Sequence, residues 1–186
     1  MKKQIKRTYR LTKYVVYRQT IVDPEDHLWT FVGAFLGIGI IGFVQSFYFS
    51  ELENIFLIGS FGASAVLVFG AANSPLAQPR NLIFGHFFSA IIGVCCYKLI
   101  PDTVWLSSAL SVSLAIVAMQ ITKTMHPPGG ATALIANIGT PKIKELGFIY
   151  AFSPVLSGVL VLCIVAIIVN NIPKNRNYPY KSYKRN

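Results

Sequence analysis

Charge is what this sequence has least of. Only 13% of its 186 residues are charged, against about a quarter in an ordinary soluble domain. Placement excludes more than the total does. Asp23, Glu25, Asp26, Glu51, Glu53, Asp102 and Glu145 all lie between the long apolar stretches and never within one. A bilayer imposes that segregation, because an acidic side chain costs roughly 2.5–3.5 kcal/mol at the centre of an inserted helix. Cysteine is also sparse: Cys95, Cys96 and Cys163 sit in apolar runs, an adjacent pair with one distant residue. That pattern gives neither a disulfide framework nor a CxxC or CxxH metal spacing, so reduced core cysteines and no metal or cofactor are expected. Residues 1–26 lack the apolar stretch of a signal peptide, so this segment is expected to remain in the mature protein.

What is abundant is apolar sequence. Hydrophobic residues make up 53% of the chain and its mean hydropathy is +0.53. Spanning the hydrocarbon core takes about 20 helical residues, and stretches near that length recur at Leu28–Phe49, Asn54–Ala72, Asn81–Tyr97, Thr103–Thr122 and Leu146–Ile172. A shorter one, His126–Thr140, begins His-Pro-Pro-Gly-Gly. The expected fold is therefore all-α: a polytopic transmembrane bundle of five full spans plus one broken or re-entrant helix. The expected segments are a basic N-terminal region at 1–26, a transmembrane domain at 27–173 and a basic tail at 174–186.

The net charge of +10 resides mainly in those two ends. Basic tails around an apolar body fit anionic lipid headgroups and the positive-inside rule better than nucleic acid. Both termini are expected in the cytoplasm of a multi-pass cell-membrane protein. Ile5, Tyr9, Val16 and Ile21 give the N-terminal region a partial apolar stripe, as a surface helix would have. Arg80 and Lys123 then fall inside, with Asp102 and the acidic 50–53 loop outside. Six crossings fit best, with Lys142 and Lys144 outside as a mild violation beside Glu145. A weak repeat agrees: Gly62-Ala-Ser-Ala-Val-Leu and Gly130-Ala-Thr-Ala-Leu-Ile match at an offset of 68 residues. Three elements per half would make a 3+3 inverted repeat, as many transporters have. Gly33 and Gly37 form a GxxxG read as a helix-packing face. The sequence allows a homo-oligomer.

Two blocks differ from ordinary lipid-facing helix: Ser60–Ala65 running on to Ser74-Pro-Leu-Ala-Gln-Pro-Arg80-Asn81, and Met125-His-Pro-Pro-Gly-Gly-Ala-Thr-Ala-Leu134. The second contains the His-Pro-Pro signature of the HPP family of integral membrane proteins, and the first resembles that family's SPLAQPRN block. The resemblance covers roughly residues 25–172. It implies a membrane transport protein, since members have been linked to nitrite transport in chloroplast envelopes and cyanobacteria. The soluble CBS pair of some relatives is expected to be absent.

The residues can be read without the resemblance. Pro127 and Pro128 remove backbone donors, and Gly129 and Gly130 add freedom, so the helix should break and restart there. A helix N-terminus at membrane depth presents unpaired N–H groups and a positive dipole end, a natural anion site. His126 stands at the break. Arg80 and Asn81 occupy the first turn of another helix, which also carries His86; arginine suits forked bonding of a planar oxyanion. The charge available near the membrane centre is neutral to positive, which favours an anionic or neutral solute, and a small anion is the expected partner. The candidate binding residues are thus Ser64, Asn73, Gln78, Arg80, Asn81, His86, His126, Gly129, Gly130 and Thr132, with no catalytic residue assigned. Several have a plainer reading beside them: His126 serves equally as a helix-break residue bonding a carbonyl. Arg80 and Lys123 serve equally as cytoplasmic anchors, Lys98 as a snorkelling lysine, and His86 as an interhelical bond. Ser64 and Thr132 serve as small packing residues, and Asn73, Ser74 and Gln78 satisfy a turn. Two other functions compete: a non-transporting scaffold or sensor, and an intramembrane hydrolase using Ser64 with His86 or His126 as base. The latter lacks the Gly that rhomboid-type proteases place where Ala65 stands.

Overall fold

The computed structural model describes residues 24–180, and residues 53–58 by their backbone only. The expected surface helix through Ile5, Tyr9, Val16 and Ile21 lies outside the described residues. The described chain is helical throughout: α1 (Pro24–Gln45), α2 (Glu51–Ala65) prolonged by a π-turn (Val66–Gly70), a 3-10 turn (Pro75–Ala77), and α3 (Pro79–Leu99). There follow α4 (Val104–Ile121), α5 (Pro128–Ile138), the short α6 (Pro141–Glu145), an irregular turn (Ala151–Leu156) and α7 (Ser157–Asn170). Among the described residues, four helical segments are long and apolar enough to cross a membrane: Pro24–Gln45, Pro79–Leu99, Val104–Ile121 and Ala151–Asn170. Gly59–Gly70 and α5 are shorter. Large apolar side chains point outward all round; Phe31 and Phe35 on α1 are each 66% exposed. That surface is the mark of a helix bundle solvated by lipid.

The connections gather at two ends. One end holds the start of α1, residues 71–78, residues 122–127 and the segment after α7. Arg176 there forms an ion pair with Asp26, and the Tyr178 hydroxyl donates to the Ala77 carbonyl. The other end holds residues 46–50, 100–103 and 139–150, where Lys142 Nζ donates to the Tyr48 carbonyl. Three lysines at this end lie over aromatic rings: Lys142 over Phe49, Lys144 over Tyr97 and Lys98 over Phe148. Ring faces attract such cations, which gives the lysines that ran against the charge pattern a local seat.

Small residues decide how closely the helices approach. Gly33 and Gly37 receive the Phe69 ring, and a Cβ on Gly33 would lie 2.3 Å from it. The GxxxG is a packing face, filled by an aromatic ring from the end of α2. The tightest contact is α3 on α5. A Cβ on Gly93 would meet the Ala133 carbonyl at 2.5 Å, and one on Gly129 would meet the Gly85 carbonyl at 2.8 Å. Gly85, Ser89 and Gly93 on one helix face Gly129, Ala133 and Asn137 on the other. Both are i, i+4, i+8 rows, the spacing that stacks residues on one helical face.

Where helices stop, side chains from elsewhere bond the released carbonyls, as a buried helix end requires. At the end of α2, Val68 O accepts from Asn170 Nδ2 at 2.8 Å, and Phe69 O accepts from Thr30 Oγ1 at 3.0 Å and from Arg176 at 3.3 Å. The segment after α7 turns back over this end. Arg176 also donates to Thr30 Oγ1 and to the Asp26 carbonyl, and Tyr178 is 2% exposed. Burial, with a smaller push from Cys163, raises the Tyr178 phenol well above its ordinary pKa, so it remains a donor.

Candidate functional site

The ten candidate residues separate into three groups. Ser64, His86, His126 and Thr132 come together in the middle of the bundle, from α2, α3, the segment before α5, and α5 itself. All four are 0% exposed. Ser64 Oγ lies 2.7 Å from His86 Nε2 and 2.9 Å from His126 Nε2. His86 Nδ1 lies 2.7 Å from Thr132 Oγ1, and His126 Nδ1 lies 2.8 Å from the Leu76 carbonyl. The two imidazole centroids are 5.0 Å apart. The hydroxyls of Ser64 and Thr132 therefore take the two ring nitrogens of His86.

Valence fixes the direction of this chain for neutral rings. A carbonyl only accepts, so His126 carries its proton on Nδ1 and gives it to Leu76; its Nε2 must then accept from the Ser64 hydroxyl. Ser64 has one proton, so His86 Nε2–H donates to Ser64 Oγ. His86 Nδ1 in turn accepts from the Thr132 hydroxyl. Every donor in the row from Thr132 to Leu76 points the same way.

The second group supports the breaks. Gln78 Nε2 donates to the Ala72 and Ser74 carbonyls at 2.9 and 2.8 Å, while its Oε1 accepts from Tyr180 N–H. Arg80 donates to Thr122 O at 2.9 Å, and Asn81 Nδ2 donates to Met125 O at 2.8 Å. Arg80 is exposed, and its bonded carbonyl is at the C-terminus of α4, where a cation suits the dipole. The first turn of α3 thus holds the 122–125 segment, in which Lys123 has φ +55°. Asn73 is exposed at the loop between α2 and α3.

The third group is the glycines, and here the expectation shifts. The break lies at 122–127, ahead of Pro128, so Gly129 and Gly130 belong to α5 itself. Gly129 N–H donates to His126 O at 2.8 Å and Gly130 N–H to Pro127 O at 3.0 Å. Two of the N–H groups expected to face an anion are bonded within the turn. Gly129 lies against α3, whereas Gly130 borders a cavity of about 530 Å³ lined by Val112, Met119, Pro127 and Leu134, apolar throughout.

Sequence reasoning passed over three participants. The Leu76 carbonyl, which sets the His126 tautomer, belongs to a residue with no polar side chain. Tyr150 is fully buried and donates to the Thr132 carbonyl at 3.0 Å. Gly85 makes room for His126: a Cβ there would lie 2.6 Å from His126 Cβ. Only the small-residue spacing around Gly85 is a readable signal. Among the described residues no group of three or more His, Cys, Asp or Glu is placed to hold a metal.

No solved structure matches this chain. Two transmembrane proteins of Dictyostelium discoideum are similar to it. One is 47% identical over 84% of this chain and 51% of its own length. The other is 44% identical over 87% of this chain and 58% of its own length. The chain thus spans a little over half of these relatives. The model of the HPP transmembrane region matches residues 19–179, so both polar blocks and every candidate residue fall within it. The chain belongs to the HPP family of transmembrane proteins.

Proposed function

We propose that this protein moves a small inorganic anion across a cell membrane, along a path past Ser64, His86, His126 and Thr132. Nitrite is the first substrate to test, because the family resemblance implies it. One observation carries the reading: two imidazole Nε2 atoms converge on a single hydroxyl in a fully buried centre. No Asp or Glu lies in the apolar stretches. A merely structural bundle gains little from polar groups at that depth, and a lining without carboxylates does not repel an anion.

Six crossings agree with the two-ended arrangement of loops. α5 has 11 residues and so covers about 16 Å, half of a roughly 30 Å core. The 122–127 segment dips from one end to meet it. That end carries Arg80, Lys123, Lys174 and Arg176 and is assigned to the cytoplasm. The shared bonding of Ser64 and Thr132 to His86 supports the 3+3 repeat. The four site residues are closed off on both sides in this state, so transport requires the breaks at 71–78 and 122–127 to move. The basic residues of 1–26 and 174–186 remain assigned to anionic headgroups, except Arg176, which pairs with Asp26.

The test is uptake into proteoliposomes. Nitrite flux above that of empty vesicles is expected, reduced at least tenfold in His126→Gln with the protein still monodisperse. Absence of flux for every small anion tried would overturn the proposal and leave the scaffold reading.

The 2.9 Å contact in which Ser64 donates to His126 Nε2 favours a second reading, an intramembrane hydrolase. Against it, Ser64 lies within α2, where backbone N–H groups bond along the helix and offer no oxyanion hole. Labelling of Ser64 by a serine-directed phosphonate would establish it; no labelling removes it.

A further inference from the structure

We infer that the anion travels with one proton, taken up by the Ser64–His86–His126 cluster; this rests on the transport reading above. The argument is one of hydrogen-bond valence. In the neutral arrangement every donor is used: Thr132 to His86, His86 to Ser64, Ser64 to His126, and His126 to Leu76. The cluster in this arrangement carries no net charge to hold an anion.

Adding one proton to His126 Nε2 reverses a single bond. Ser64 can no longer donate there, but a second acceptor is within reach of its hydroxyl: the Ser60 carbonyl, 3.2 Å away. Ser64 Oγ then accepts from His86 Nε2–H and His126 Nε2–H together, and its own proton turns to Ser60. Each group is again satisfied, no backbone atom has moved, and the cluster carries one positive charge. The site thus has two complete hydrogen-bond arrangements that differ by one proton.

The charge is what calls for the anion. Among the described residues no carboxylate faces the pair. α2 presents Ser60, Phe61 and Ser64; the 3-10 turn presents the Leu76 carbonyl; α4 presents Met119; α5 presents Thr132, with the Tyr150 phenol behind it. α1 and α7 present no acidic group there, since Asp26 is paired with Arg176 at the bundle end. Arg80 is exposed and held on Thr122 O, so it bonds neither histidine. An unpaired charge in such a place is costly, several kcal/mol even after relaxation. One monovalent anion cancels it. Proton and anion therefore stabilise each other's binding, and the loaded site is neutral, the condition for crossing at no electrical cost.

Nitrite is the probe. The purified protein is placed in liposomes containing pyranine, and nitrite entry and internal pH are followed above the rate of empty vesicles, which corrects for undissociated nitrous acid. Entry is expected to be driven by an acid-outside gradient, to acidify the interior by one proton per nitrite, and to change less than twofold under a potassium–valinomycin potential. His126→Gln should abolish the protein-dependent proton movement, and Ser64→Ala, a smaller change, should reduce it at least fivefold. Protein-dependent entry that follows the potential and moves no protons overturns the inference and leaves transport standing. Absence of any protein-dependent entry overturns the transport reading and this inference with it.

Discussion

Gly129 and Gly130 stand side by side in the His-Pro-Pro-Gly-Gly segment, yet the structure gives them opposite tolerances. A methyl group at Gly129 would lie 2.8 Å from the Gly85 carbonyl oxygen and 2.8 Å from Ser89 Oγ. The first is backbone in the middle of α3 and cannot swing aside, so α3 and α5 must separate. Overpacking of that kind costs about 1–3 kcal/mol. A methyl at Gly130 would meet only Val112 Cγ1, at 3.8 Å, an ordinary contact. Both residues are helical without positive φ, so Ala carries no backbone penalty at either. Gly130→Ala should be neutral, or stabilising by up to about 1 kcal/mol through reduced chain freedom. In chains of this size 1 kcal/mol moves Tm by about 2–4 °C. Gly129→Ala is therefore expected to melt roughly 4–8 °C below the parent in detergent for a cost near 2 kcal/mol, and Gly130→Ala at or slightly above it. Scanning fluorimetry of the purified variants measures both. Equal losses in the two variants, or a Gly129→Ala protein as stable as the parent, would refute the close α3–α5 approach.

Other expectations use different contacts. Tyr178→Phe removes the bond to Ala77 O and should cost about 1 kcal/mol, read as faster hydrogen exchange in residues 75–78. Asn170→Leu leaves Val68 O without its buried donor; a loss of about 1–3 kcal/mol is expected, measured by thermal unfolding. Arg80→Ala should loosen the 122–125 segment, seen as easier proteolysis there, while nitrite flux per folded molecule changes less than twofold. A tenfold loss would place Arg80 on the path after all.

The lysines at 142 and 144 show how local packing answers a pattern that sequence alone leaves awkward. Counted as charges they oppose the expected orientation. Seen over Phe49 and Tyr97 they occupy aromatic faces at one end of the bundle. Their partners lie far away in sequence, so no spacing announces them.

Much of this protein was determined by its sequence. Segregated charges and long apolar runs dictate membrane helices, because lipid accepts no unpaired polar backbone. Proline and glycine mark both breaks to within a few residues, since missing N–H groups are a covalent property. His86 and His126 stand out because a titratable ring in an apolar stretch needs a reason. Only the tertiary structure decided how the candidates divide. The candidates Gln78, Arg80 and Asn81 bond carbonyls of the 71–78 and 122–125 segments. Ser64 and Thr132, candidates for which small-residue packing is the plainer reading, lie against the histidines. The physical reason is that a polar side chain takes whatever partner the fold brings within 3 Å, and these partners come from other helices. Charge and periodicity record which residues avoid lipid, not which of them find each other.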